Sequence, residues 1–426
     1  MNAKPESPSR PLFPDGELPP LRRKILAWFA RHGRDLPWRR TRDPYAVWVS
    51  EIMLQQTTTE TVAGYFAPFL RRFPTVRALA EADIADVLRC WEGLGYYRRA
   101  HLLHRAAGQI VEKYGGVFPA ERRQAEKLPG FGRYTTGAVL SFALGRREPI
   151  LEANTSRLHA RLLAVRGDLA RKENSAVLWD FALRVLPVRD PGRFNQALID
   201  LGRLVCRPRT PRCADCPCVP FCRTAQNGWQ NEIPSPKKKP AVENRTETAF
   251  LIPRSLFARG KRETFLFIRY PEHFRWGGLW DFPRFRQEGE GAAAEEKLTK
   301  SLQLFLGSDR VRPGEEITRM PHTVTRYRIT LLLREAAGKV PERASSFFHP
   351  VRPSAAQAKT VIPFAGGAAP LEAIEYRWLS PGQAEKIPLS STGRELLRRL
   401  AAPVAFPSRS AAGAKQTAPA RKSRKI

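Results

Sequence analysis

The chain has 426 residues, is 42% hydrophobic, and sets 72 Lys+Arg against 41 Asp+Glu for a net charge of +31. That apolar content excludes global disorder, and the length accommodates two or three domains of about 150 residues. The charge favours a polyanionic partner, nucleic acid ahead of an acidic membrane, and no apolar run approaches the ~18 residues of a membrane span or the core of an export signal.

Residues 1–20 contain six prolines and no periodic pattern, and they are read as a disordered arm. A helical block follows over residues 21–225. Leu21, Ile25, Trp28 and Phe29 recur at helix spacing, and Asp43-Pro44 supplies an N-cap with proline at the first helical position. Further helical periodicity is read at 45–56, 60–72, 83–90, 98–114, 133–145, 155–165, 174–186 and 193–205. Residues 226–245, rich in Pro and Lys, are read as a linker. The grammar then changes to short β-rich runs at Thr248–Ile252, Thr264–Tyr270, Leu279–Phe285, Thr323–Leu333 and Ile374–Leu379, with one helix at 292–306. Thr392-x-x-Glu395 suggests a capping box before a last helix. Residues 246–401 therefore form an α+β domain, and 402–426 a flexible basic tail.

Five of the six cysteines fall between positions 206 and 222. In a chain with no export signal, such bunching points to metal ligation ahead of a disulfide framework. Cys206, Cys213, Cys216 and Cys222 can hold a [4Fe–4S] cubane or a tetrahedral zinc ion. Zinc ribbons pair two Cys-x2-Cys knuckles and only one is present, so the uneven loop suits the larger cubane. Cys218 is read as a spare, and Cys90 beside Trp91 as core.

Leu128-Pro129-Gly130-Phe131-Gly132-Arg133-Tyr134-Thr135 places a Gly-x-Gly turn between helical segments. Gly130 and Gly132 allow positive φ and close backbone approach, and the amides of the following helix can then hold a phosphate. An ordinary helical connection is the plain alternative.

Glu51 lies on a stretch (Tyr45, Val47, Trp48, Val49, Ile52, Met53, Leu54) that is apolar nearly all round and so must be buried. Its one-turn neighbours Val47, Trp48, Leu54 and Gln55 include no cation. Such a carboxyl takes a raised pKa, which suits a general acid; satisfaction by an Arg from another helix is the alternative. Glu152, in Leu151-Glu152-Ala153-Asn154-Thr155, precedes a helix whose dipole favours the ionised form. Two carboxyls with divergent pKa values are the arrangement that cleaves glycosidic bonds, while helix capping is the simpler role for Glu152.

Together with Leu36-Pro37-Trp38-Arg39, Trp48 through Thr57, Gly93-Leu94-Gly95-Tyr96-Tyr97 and Phe194-Asn195-Gln196-Ala197, these motifs resemble the MutY-like adenine DNA glycosylases of the helix-hairpin-helix superfamily. The likeness runs from Leu21 to Thr224 and continues more weakly beyond. It implies a multidomain protein: an all-α helix-hairpin-helix glycosylase domain with an iron–sulfur loop, then an α+β Nudix-like C-terminal domain.

What the resemblance implies for function is a monofunctional enzyme of base excision repair. It would bind double-stranded DNA, flip out an adenine mispaired with 8-oxoguanine or guanine, and hydrolyse its N-glycosidic bond. Glu51 takes the place of the general acid, with Glu152 as the second carboxylate and Asn154 in the same string. Tyr134 stands where related lyases carry a lysine, and tyrosine cannot form a Schiff base. Leu54, Gln55 and Tyr96 match residues that wedge into the base stack; Trp38, Arg39, Gln196 and Ile199 match the adenine pocket. Trp276-Gly277-Gly278-Leu279-Trp280-Asp281-Phe282-Pro283 is similar to the family's Nudix-like domain. Pro283 stands where the first metal-binding Glu would fall, so this domain is read as binding.

Two strings depart from the family. Glu152-Ala153-Asn154 replaces Asp-Gly-Asn, adding a methylene to the carboxylate. In the lesion-sensing loop Thr325-Arg326 stands where the family often shows Ser-His. The resemblance further implies a [4Fe–4S] cofactor, a monomer, and a cytoplasmic, nucleoid-associated location. The rival readings are a glycosylase for another base, such as thymine opposite guanine, and a catalytically weak lesion-binding protein.

Overall fold

The computed structural model describes residues 13–235, 241–256, 264–324, 326–340, 361–365, 367–370 and 373–401. Its N-terminal part is helical, with principal helices Leu18–His32, Pro44–Leu54, Thr59–Arg72, Ile84–Trp91, Arg98–Tyr114, Arg133–Phe142, Ala153–Leu163, Lys172–Val185 and Pro191–Leu204. These gather around two cores. One holds Trp48, Ile52, Phe69, Trp91 and Leu103; the other holds Leu21, Ile25, Leu158, Phe181 and Leu198.

The Pro44–Leu54 helix starts at Asp43, whose carboxylate accepts from the Tyr45 and Ala46 amides at 3.0 and 3.3 Å. Every residue from Tyr45 to Met53 is buried, as the all-round apolar pattern requires. Trp48 packs against both Phe118 and Phe131, which fastens this helix to the hairpin region.

Residues 13–20, within the arm read as disordered over residues 1–20, are ordered. Phe13 is fully buried against Phe181, and Arg184 pairs with Asp15 at 2.6 Å. Pro19 and Pro20, two of the six prolines of that arm, occupy the first turn of the Leu18–His32 helix, where a missing N–H costs nothing. Residues 1–12 and the tail 402–426 lie outside the described residues. The segment read as linker from 226 is packed against the helical part as far as Ser235. Ile233 is buried in the second core and its carbonyl accepts from Arg161 at 2.7 Å.

The C-terminal part is built on strands β1 (Glu243–Leu251), β2 (Phe265–Arg269), β3 (Trp280–Asp281), β4 (Arg284–Gln287), β5 (Val311–Val324), β6 (Tyr327–Gly338), β7 (Val361–Phe364), β8 (Gly367–Pro370) and β9 (Glu375–Leu379). One sheet runs β5-β6-β1-β4-β7-β8, with β1 and β6 parallel; the other runs β3-β2-β9. The Gly291–Leu306 helix covers the large sheet. The run Thr323–Leu333, read as one strand, is two: β5 ends at Val324 and β6 begins at Tyr327. Pro313, Gly314 and Pro321 hide β5 from a propensity reading, yet an edge strand tolerates proline. The last helix, Ser391–Ala401, is not capped by Thr392 and Glu395. Ser390 caps it, accepting the Gly393 amide at 2.9 Å, while Glu395 pairs with Arg399.

This second part docks on the first where Gly277 and Gly278 meet His101. The His101 ring lies 3.1 Å from the Gly277 carbonyl, and a Cβ at Gly278 would come within 2.8 Å of it. Only glycine permits so close an approach, and Gly278 also sits at φ +80°.

Candidate active site

At the seam between the two helical cores lies a cavity of about 190 Å³. The first core contributes Glu51 and Leu54, the second Glu152, Asn154, Gln196 and Ile199, and Tyr134, Trp38 and Arg39 complete the wall. Nine of the residues singled out in the sequence thus converge on one space.

Glu51 is buried, and its Oε2 accepts the Tyr134 hydroxyl at 2.8 Å. Burial pushes the Glu51 carboxyl up to about 7. The Tyr134 hydrogen bond and the Arg39 charge oppose this, and Glu152 adds to it. Tyr134 is raised well above its usual value by burial first and the Glu51 charge second, so its phenol stays a donor.

Glu152 is the N-cap of the Ala153–Leu163 helix. Its Oε1 accepts the Thr155 amide at 2.8 Å; its Oε2 accepts the Asn154 amide at 2.8 Å and the Asn154 side-chain Nδ2 at 3.1 Å. Asn154 in turn accepts from Arg157 at 2.9 Å. The helix N-terminus was expected to hold Glu152 low. Instead the carboxyl is raised, because burial outweighs the opposing amides of Asn154 and Thr155 and the Arg157 charge. The two carboxyls remain unlike in their partners: Glu51 takes one neutral hydroxyl, Glu152 three N–H donors.

The cation near Glu51 comes from another element, as the alternative reading allowed. Arg39 is committed to Asp200, its Nη1 and Nη2 lying 2.7 and 3.0 Å from the two carboxylate oxygens. Asp200 is fully buried and also accepts the Arg34 amide at 3.1 Å. Sequence reasoning missed Asp200, Arg34 and Arg203. The available signal was an acid beside Ile199 on the buried face of the Pro191–Leu204 helix, which demands a cationic partner.

Gln55 and Tyr96 line a different space of about 670 Å³, between the two parts of the chain, together with Phe274, Trp276, His322 and Thr323. Tyr96 is half exposed and holds φ +49°. Arg326 is exposed at the β5–β6 turn beside Tyr327, its Nη2 3.1 Å from the tyrosine oxygen; Thr325 lies outside the described residues.

In the hairpin, Gly130 has φ +80°, whereas Gly132 is at φ −85° and needs no glycine conformation. Gly132 instead precedes a helix that no side chain caps, and a Cβ there would meet nothing within 4 Å. The amides of that first turn are therefore open to an anion.

All six cysteines are free thiols. The Cys216 amide donates to the Cys213 carbonyl at 3.1 Å, closing the turn of the Cys-x2-Cys knuckle. Arg161 reaches Cys206 Sγ at 3.3 Å; burial pushes the Cys206 thiol up, and the Arg161 and Arg157 charges oppose that rise. Four thiols on a folded loop with adjacent guanidinium groups are a donor set suited to an anionic iron–sulfur cluster. Among the described residues no three His, Cys, Asp or Glu side chains are drawn into a closed ligand set. Cys218 is buried and hydrogen-bonds Cys216. No described helix is long and apolar enough to cross a membrane.

Residues 49–182 match the HhH-GPD superfamily of base excision DNA repair proteins. The chain is 31% identical over 365 residues to the adenine DNA glycosylase of Rattus norvegicus, spanning 75% of this chain and 71% of that one. It is 31% identical over 367 residues to the Homo sapiens enzyme, spanning 75% and 67%. With the Buchnera aphidicola (Schizaphis graminum) enzyme it shares 35% identity over 271 residues, spanning 61% and 74%. Among solved structures, a thermostable thymine-DNA glycosylase aligns over 50% of this chain and 98% of its own, with 28% identity and a TM-score of 0.47.

Proposed function

The chain belongs to the adenine DNA glycosylases of base excision repair, and from that premise we propose that it excises adenine from mispairs with 8-oxoguanine or guanine, using Glu51 as acid and Glu152 as second carboxylate. The observation that carries this reading is the pair itself: a buried Glu51 with a pKa near 7, and Glu152 across the same small cavity.

The flipped adenine enters the cavity between Trp38, Leu54, Gln196 and Ile199, paying the cost of unstacking. Glu51, half protonated near neutrality, gives its proton to the adenine ring while Tyr134 supports the carboxylate left behind. The C1′–N9 bond breaks through an oxocarbenium-like state. Glu152 faces that positive charge and stabilises it. Glu51 then takes a proton from the attacking water. Tyr134 offers no amine, so no Schiff base forms and the strand stays intact.

Amides at Gly132–Thr135 and the Arg and Lys excess hold phosphates, giving salt-dependent binding. Leu54, Gln55 and Tyr96 fill the gap left by the flipped base. The base opposite the adenine lies in the space between the two parts of the chain, near His322 and Thr323, with Arg326 at its edge. Cys206, Cys213, Cys216 and Cys222 would hold a [4Fe–4S] cluster, which supplies a rigid anionic anchor for this loop; Cys218 stays outside the ligand set. The enzyme acts as a monomer on duplex DNA, in the cytoplasm at the nucleoid.

Single-turnover cleavage of duplexes carrying A opposite 8-oxoguanine, G or C, and T opposite G, tests the reading. Adenine release that vanishes in Glu51→Gln while DNA binding persists supports it. Preferential thymine release would overturn the substrate, and strand nicking without alkali would overturn the monofunctional mechanism.

A further inference from the structure

The adenine cavity and the space between the two parts of the chain are separated by the end of one helix: Leu54 lines the first, and the next residue, Gln55, lines the second. The far wall of the second space belongs to the C-terminal part. Its width is therefore set by whatever fixes that part against the helical one.

The strongest polar link is Arg394, from the last helix. Its Nε and Nη2 each lie 2.7 Å from the Glu92 carboxylate, and both side chains are largely buried. Arg394 also donates to the Glu385 and Ile387 carbonyls, which ties it firmly to its own domain. Nearby, Ser391 lies 3.4 Å from the Tyr97 hydroxyl, which accepts the Gly93 amide.

Glu92 opens the Gly93–Tyr97 loop that carries Tyr96. This loop is held in a demanding conformation, with positive φ at Gly93, Gly95 and Tyr96. From below, buried Arg99 donates to the Leu94 and Gly95 carbonyls, and its other nitrogen donates to those of Ile52 and Met53. Arg99 thus joins the loop to the end of the helix bearing Glu51. One connected path runs from Arg394 through Glu92, the loop and Arg99 to the Glu51 helix.

We propose that Glu92 and Arg394 form a positioning clamp that fixes the C-terminal part against the Tyr96 loop and so sets how strongly the base opposite the adenine governs excision. The inference rests on the reading that this space receives that base. Neither residue touches a reacting atom, and Arg99 holds the loop to the Glu51 helix without them, so loosening the pair leaves the adenine cavity intact while letting the opposite wall drift. A misplacement of ~1 Å can cost about a hundredfold in rate, and here that cost falls on the preferred duplex.

The test is single-turnover excision by Glu92→Gln and Arg394→Met on duplexes with A opposite 8-oxoguanine and A opposite G, alongside small-angle scattering. The expected result is a ratio of the two rates that narrows on the order of tenfold, with the A·G rate within about twofold of wild type and a larger radius of gyration. Arg394→Lys, which keeps a charged donor beside Glu92, retains more of the ratio than Arg394→Met, and an unchanged far-ultraviolet circular dichroism spectrum guards against a variant that merely fails to fold. An unchanged ratio, or two rates falling by the same factor, overturns the clamp alone. A wild type that does not distinguish the two duplexes overturns the reading beneath it as well.

Discussion

Replacing Glu51 by Gln separates activity from stability, because the protonation that suits Glu51 for acid catalysis also makes it a burden on the fold. Its carboxyl is raised from 4.5 to about 7 by burial. A carboxyl raised in the folded state binds its proton more tightly there than in the unfolded chain. Folding stability is thus unaffected by it below pH 4.5, falls as pH rises from 4.5 to 7, and levels off above that. At 1.36 kcal/mol per pH unit, the ionised group costs about 3 kcal/mol at pH 8 and about 1 kcal/mol at pH 5. Gln does not titrate, and its carbonyl still accepts the Tyr134 hydroxyl.

Glu51→Gln should therefore abolish adenine release and gain about 2–3 kcal/mol over the wild type between pH 5 and pH 8. That corresponds to a melting-temperature advantage growing by roughly 5–10 °C for a helical unit of this size. Differential scanning calorimetry at the two pH values, with single-turnover excision in parallel, measures both. Equal melting differences at pH 5 and pH 8 would show that the carboxylate is solvated, and the acid role would go with it.

Tyr134→Phe removes the hydrogen bond that lowers the Glu51 pKa, so the alkaline limb of the excision profile should move to higher pH; a downward move refutes the contact. Glu152→Asp keeps an N-cap acceptor and should change the excision rate by less than about tenfold, whereas Glu152→Ala should lose on the order of a hundredfold or more and about 1 kcal/mol of helix stability. A large gain in Glu152→Asp would mean the extra methylene is a handicap. Cys216→Ala should lose the broad visible absorption of an iron–sulfur centre and half or more of the bound iron, while Cys218→Ser retains both; the reverse result would exchange their roles.

Much of this was readable in the sequence because burial and chemistry pointed the same way. A helix apolar on every face must be enclosed, so Glu51 could be placed in a dry environment from Tyr45, Trp48, Ile52 and Met53 alone. The positive φ of Gly130 was similarly legible. The failures have a common cause: local pattern cannot report a partner distant in sequence. Asp200 and Arg39 are 161 residues apart, and Ser390 displaced Thr392 as a cap through its own hydroxyl. The burial of Phe13 depends on a hydrophobic slot beside Phe181 that no window around Phe13 contains. β5 was missed because its prolines are excused only by its place at the sheet edge, a fact of topology.

The direction of the Glu152 shift shows how such effects compete. An N-cap position and three N–H donors argue for a low pKa, yet enclosure between two cores still raises it. The same bonds answer the question posed by a Glu where the family has Asp. Both oxygens are already engaged by Asn154 and Thr155, so the longer side chain is folded back onto its own helix start, much as a shorter one would be. Its freedom to wander into the cavity is removed by the backbone it caps. The site thus draws one carboxyl from each core, one resting on a neutral hydroxyl and the other pinned by amides. On the proposed mechanism, that difference in partners, rather than a difference in depth, would let one carry a proton and the other meet a cation.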